Sequence, residues 1–145
     1  MRLAVLGSAV AISLGAMGLV PATAGAQGIV LGGEAFAPNG EGWRTEHPSA
    51  IYNGGDASGS IRHVRWNSWG GEEAIGWGRN PIFRPRGGYF RHLVWIKLKA
   101  WEIGECEGRR AYTRLSFRAP RHPGGRLGPW RLWSGARSIC SWPSY

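Results

Sequence analysis

An all-β fold is what this sequence predicts: a small antiparallel β-sandwich or barrel of about six or seven short strands. Three observations carry that prediction. Helical periodicity is almost absent after residue 26, Gly and Pro punctuate the chain at short intervals, and the stretches Tyr89 to Trp101 and Ala111 to Phe117 alternate between two faces. The chain has 145 residues, enough for one domain of about 100 to 150 residues, which excludes a multidomain enzyme.

Residues 1–26 read as a signal peptide rather than as part of the folded body. Arg2 is their one charge, Leu3 to Val20 is apolar or small, and Pro21 opens a segment containing Ala22-Thr23-Ala24 and Ala24-Gly25-Ala26. A basic start, an apolar run and small residues at the cut are the layout that signal peptidase reads. An uncleaved anchor is the alternative, but Gly7, Gly15, Gly18 and Gly25, the Pro21 break and the lack of a basic stop speak against it. Cleavage is expected at Ala26/Gln27 in preference to Ala24/Gly25, leaving a secreted, extracellular protein with no stable membrane span. No Cys follows the apolar run and no Arg-Arg pair precedes it, so neither lipidation nor the twin-arginine route is indicated.

Next comes a loose N-terminal segment, 27–48, rich in Gly and Pro, and then a single β domain, 49–145. Ala50 to Asn53 reads as a short strand, Gly54 to Gly59 as a turn, and Ser60 to Trp66 as the second arm of a hairpin. Asn67 to Gly71 turns again, Ala74 to Gly78 is a glycine-broken strand, and Asn80 to Gly88 is a loop with Pro81 and Pro85. Between Tyr89 and Trp101, Phe90, His92, Val94, Ile96, Leu98 and Ala100 share the face expected to be buried. Ala111, Thr113, Leu115 and Phe117 repeat the pattern, with Glu102 to Arg110 linking the two strands. Trp130 to Trp133 and Ser138 to Trp142 supply short terminal strands.

Composition points to an anionic partner. After cleavage 17 basic side chains stand against 9 acidic ones, a net of +8, and every cation except Lys97 and Lys99 is Arg. A GC-rich genome would favour the same Arg, Gly, Ala and Trp codons. All nine Trp follow residue 26, and a domain this small buries only about two thirds of its unfolded surface, so some rings must reach solvent. Cys106 and Cys140 are the two cysteines, and outside the cell such a pair forms a disulfide. Zinc would need two more ligands, but His47, His63, His92 and His122 stand apart in sequence. No metal and no cofactor is expected.

Tyr52, Gly55-Asp56-Ala57-Ser58-Gly59, Ile61, Trp66-Asn67-Ser68-Trp69-Gly70-Gly71, Ala74-Ile75-Gly76-Trp77-Gly78, Cys106-Glu107-Gly108 and Tyr112-Thr113-Arg114-Leu115 together form a pattern. Over residues 49–118 it resembles small secreted or lipid-anchored proteins of actinobacteria carrying a Trp-x-Ser-Trp-Gly-Gly element. The resemblance implies export and an all-β body. It carries no functional residue over, and this chain departs from the lipid-anchored members by lacking a Cys at the cleavage site.

Imitations of catalytic motifs fail on chemistry. In Gly55-Asp56-Ala57-Ser58-Gly59 the inserted Ala57 would misplace a serine nucleophile relative to its oxyanion donors, so a turn is the better reading. Gly76-Trp77-Gly78 lacks the third glycine of a dinucleotide loop, and Ser68 lacks the glycine that opens a nucleophile elbow. Glu72 and Glu73 would point to opposite faces of a strand. Glu102, Glu105 and Glu107 lack calcium-loop spacing. His63, between Arg62 and Arg65, and His92, beside Arg91, are the residues a ribonuclease-like hydrolase could use, although His92 belongs to the buried face.

Binding is therefore favoured over catalysis. Arg62, Arg65, Arg79, Arg84, Arg86 and Arg91 interleave with Trp66, Trp69, Trp77, Phe83 and Tyr89, a pairing of cations and rings suited to an anionic or carbohydrate polymer. The first candidates are Trp66, Trp69 and Trp77 with Arg62, Arg65 and Arg79 around them. A monomeric, non-catalytic module for a cell-wall polyanion or polysaccharide is the leading expectation. Nucleic acid is a weaker partner, and a small secreted hydrolase or a protein-interaction domain are the alternatives.

Overall fold

The computed structural model describes residues 27–142. The signal-peptide reading of residues 1–26 lies outside them. Seven strands form one curled mixed sheet, a half-barrel: β1 (Val30–Leu31), β2 (Ile51–Tyr52), β3 (Ser60–Trp66), β4 (Glu73–Asn80), β5 (Val94–Cys106), β6 (Arg109–Arg118) and β7 (Arg131–Leu132). The order is β1-β6-β5-β4-β3-β2, with β7 also on β6. All pairs are antiparallel except β1, which runs parallel to β6 with Val30 opposite Ala111 and Leu31 opposite Tyr112.

Alternation in β5 sets the two faces. Val94, Ile96, Leu98 and Ala100 are buried in the concave side, while Trp95, Lys97, Lys99 and Trp101 face outward. Each fully buried Ile or Leu contributes about 1.5–3 kcal/mol. Ile61, Ala74, Tyr112 and Leu115 extend this core across the neighbouring strands. His92 was expected to share the buried face and does not. The strand begins only at Val94, because the Phe90 N–H turns back to the Ile82 carbonyl, and His92 stands exposed in the bend that follows.

Small residues on β4 make room for large ones on β3. A Cβ at Gly76 would come within 2.8 Å of the Trp66 ring, and one at Gly78 would collide with Ile61. Between Arg62, opposite Arg79, and Arg65, opposite Trp77, the two residues His63 and Val64 face Gly78 alone. His63 takes a φ of 50° in this bulge, which returns Val64 to the core while both arginines stay outside.

The β5–β6 connection is shorter than the sequence suggests. Strand pairing continues to Cys106 opposite Arg109, and Glu107 and Gly108, with φ of 50° and 75°, make a two-residue turn. Gly104 sits inside the strand because Thr113 crowds it: a Cβ there would meet the Thr113 methyl at 2.9 Å.

Residues 27–48 are not loose. Ile29, Leu31, Phe36 and Trp43 are buried against the concave face, the Leu31 N–H donates to Thr45 O, and the Arg44 N–H donates to Leu31 O. Their apolar residues follow no strand or helix period, which hides their role in the sequence. Residues 138–142, expected as a strand, are instead a bent segment. The Ile139 N–H donates to Thr113 O, the Gly33 N–H donates to Ile139 O, and Cys140 is disulfide-bonded to Cys106. Val30, Cys106, Ala111 and Cys140 form a small second cluster around that bond.

Candidate functional site

Of the six residues singled out from the sequence, two are half-buried rings packed against the core. Trp66 and Trp69 meet edge to face at 4.7 Å, and both indole N–H groups are bound internally, Trp66 to Pro48 O at 3.0 Å and Trp69 to Ile29 O at 2.9 Å. Trp69 also packs at 80° on Tyr112, and His47 covers it from the other side. Arg62, Arg65, Arg79 and Trp77 do share the outer, convex face.

There the sheet register assembles a surface that the linear sequence scatters. Arg79 stands opposite Trp95, Trp77 opposite Lys97, and Trp101 opposite Arg114, while Lys97 is also opposite Arg118. Directly opposed residues lie about 5 Å apart, so side chains on one face must touch. The Arg79 guanidinium lies 5.6 Å from the Trp95 ring centre and the Lys97 ammonium 5.7 Å from Trp77. Lys99 is held between Trp101 at 5.4 Å and Trp130 at 4.7 Å, with Arg114 on Trp101 and Arg118 on Trp130. Trp95 is 49% exposed and Trp130 37%, so rings as well as cations reach solvent.

Charge on this face is strongly biased. Among the described residues, Arg62, Arg65, Arg79, Lys97, Lys99, Arg114 and Arg118 form two ion pairs, Lys99 with Glu73 at 3.9 Å and Arg114 with Glu102. Arg79 donates one N–H to Leu93 O at 3.3 Å, and its Nε has no partner among the described residues. The sequence missed Trp95, Trp101, Trp130, Lys97, Lys99, Arg114 and Arg118. The outward half of the β5 alternation was the one clue to them.

A second feature is a groove of about 1060 Å³ at the end of the half-barrel where β4 and β6 finish and β3 and β5 begin. Its walls come from the loop before β3, the loop after β4 and the segments flanking β7. Asp56 caps the 3-10 turn Ala57–Gly59, and its carboxylate accepts from the Tyr89 hydroxyl and the Ser58 N–H. Those two bonds, Tyr89 first, hold Asp56 below the ordinary carboxylate pKa. The segment Gly55 to Gly59 is thus a capped turn, as its residue types imply.

No His of the described residues is paired with a carboxylate: His63 and His92 are exposed, His47 stacks on Trp69, and His122 contacts Pro123 O. Among the described residues no group of His, Cys, Asp or Glu is placed to hold a metal ion, and no helix is long and apolar enough to cross a membrane. No family model, curated protein or solved structure matches the chain.

Proposed function

We propose that this protein is a secreted, monomeric, non-catalytic module that binds an anionic polymer of the cell envelope through the convex face of its sheet. The observation that carries the reading is the set of six cation–ring pairs on that face. Rings beneath the cations hold them spread and partly desolvated, so an arriving phosphate or carboxylate meets charge that is already positioned. Exposed Trp95 and Trp130 add flat apolar area beside it. A disulfide and the layout of residues 1–26 support export, and the resemblance to small exported actinobacterial proteins points the same way.

The test is retention of the oxidised protein on isolated cell walls, with soluble inorganic polyphosphate as a defined competitor, across a salt series. Retention that falls steeply with salt and is displaced by polyphosphate is the expected result. Removing Lys97 and Lys99 together should lower the slope of log affinity against log salt by about one to two, one counterion for each lost contact. Salt-insensitive retention, or none at all, would end this reading.

A further inference from the structure

We infer that the groove at the end of the half-barrel is a second binding site, separate from the convex face, and that its ligand is a saccharide carrying a carboxylate, phosphate or sulfate. Its volume of about 1060 Å³ is at the upper end of the range of about 300–1,000 Å³ for ligand clefts. That is room for a short oligosaccharide.

Asn80 sets the polar requirement. It lines the groove and is only 5% exposed. Both of its amide hydrogens are committed, to Ser58 O at 3.0 Å and Ser60 O at 2.7 Å. Its carbonyl oxygen accepts nothing from the described residues. Yet that oxygen is not among the atoms sealed off without a partner, which are Arg79 Nε and Arg109 Nε. Asn80 Oδ1 is therefore an accessible acceptor on a groove-lining residue whose two amide bonds fix its orientation. A ligand hydroxyl would meet it in place of solvent.

The walls supply the rest. Phe83 is 58% exposed and Trp142 49%; Tyr89 stacks on Phe83 at 4.7 Å, and Phe36 lies tilted against Trp142 at 5.2 Å. Both are exposed, flat rings in the groove lining, the shape that the C–H side of a sugar ring covers. Arg84, Arg121 and Arg131 stand in the lining, while its one carboxylate, Asp56, is engaged by Tyr89 and Ser58. An anionic substituent is therefore the complementary charge.

A nucleotide would satisfy the rings and the arginines, but Asn80 could not read its base edge. Reading a base edge takes a donor and an acceptor from one side chain. Asn53 is held against the groove wall, its oxygen accepting from Trp133 Nε1 at 3.0 Å and its nitrogen donating one hydrogen to Ser134 Oγ at 2.7 Å. Asn80 has lost both donors. One acceptor suits a hydroxyl.

Titration calorimetry of the oxidised protein with a tetrameric oligogalacturonate, its neutral galactose counterpart and adenosine monophosphate tests the site. The acidic tetrasaccharide should bind at least tenfold more tightly than the other two. Arg131→Ala, at an exposed position, should weaken it fivefold or more with the thermal midpoint unchanged, and Trp142→Ala, which also loses a contact on Phe36, should weaken it at least as much in protein that remains folded. Lys97→Ala with Lys99→Ala should leave it unaltered while reducing retention on cell walls, which separates the two sites. No binding of the acidic tetrasaccharide at millimolar concentration, indifference to both groove variants, or tighter binding of the nucleotide would overturn the inference.

Discussion

Trp69 and Tyr112 meet edge to face at 5.2 Å and 80°, and the Tyr112 hydroxyl ties the contact to the chain beside the indole by accepting from Gly70 N at 2.9 Å and donating to Gly71 O at 2.7 Å. The Trp-x-Ser-Trp-Gly-Gly element is thereby accounted for residue by residue. Trp66 and Trp69 bind carbonyls of the preceding segment, Ser68 Oγ accepts from Ile75 N, and the two glycines lie against Tyr112. The element latches the β3–β4 connection onto β6.

Tyr112→Phe should cost about 1 kcal/mol, the net value of a hydrogen bond whose backbone partners can find water. Urea unfolding measures it, and a change below 0.3 kcal/mol on the order of experimental error would deny the latch. Burial pushes the Tyr112 phenol above its ordinary pKa, with opposing contributions from the Gly70 N–H and Arg110. A raised folded pKa stabilises the protein fully below the unfolded value of about 10. That contribution is lost as pH rises through the higher folded value. Absorbance of tyrosinate should show a phenol that ionises above the ordinary tyrosine range in the folded protein.

Trp69→Ala and Trp95→Ala should behave oppositely. Loss of Trp69 opens the core and should cost about 3–5 kcal/mol. Trp95 lies on the convex face, where losing an exposed cation–ring pair costs about 0.5–1 kcal/mol. Retention on cell walls should fall for Trp95→Ala while its thermal midpoint stays within a few degrees. A folded Trp69→Ala protein with selectively reduced retention would return that indole to the binding site.

Much of the fold was legible because β5 alternates without interruption from Val94 to Trp101. The binding face was legible only in part. Arg62, Val64 and Trp66 occupy alternate positions and read as neighbours on one face, but the bulge at His63 turns Val64 and Trp66 inward and keeps Arg62 and Arg65 outside. A left-handed histidine carries no sequence mark. Nor does the approach of Lys99 to Trp130, 31 positions away along the chain, which depends on β7 lying beside β6. The Gly- and Pro-rich run of 27–48 concealed a core segment because its turns, with φ of 56° at Gly32 and 85° at Gly42, leave its apolar residues aperiodic.

Replacing Cys106 and Cys140 together by Ala should lower stability by about 3–4 kcal/mol, the chain-entropy value for a cross-link of this span. The bond joins positions 34 apart and holds the segment carrying Ile139 against β6 and Gly33. Ile139 is fully buried, so its release exposes apolar surface as well. Denaturant midpoints of the oxidised protein and the double variant check the figure. Equal midpoints would mean that the C-terminal segment holds its place through its hydrogen bonds alone.

Asp56 gives stability a dependence on acid pH. Its carboxylate is held below the ordinary pKa by the Tyr89 hydroxyl first and the Ser58 N–H second. A depressed folded pKa means that the carboxylate stabilises the protein above its unfolded value of about 3.9. The contribution fades as pH falls through the lower folded value. The bond joins the turn before β3 to the loop carrying Phe83 and Tyr89, two walls of the groove. Tyr89→Phe keeps the ring stack on Phe83 and removes only the hydroxyl. Thermal unfolding from pH 7 to pH 2 should show the wild type and Tyr89→Phe separated at neutral pH and converging below about pH 4. A gap that persisted unchanged at pH 2 would place the effect in the bond that the Tyr89 hydroxyl accepts from Ser58 N rather than in the charge of Asp56.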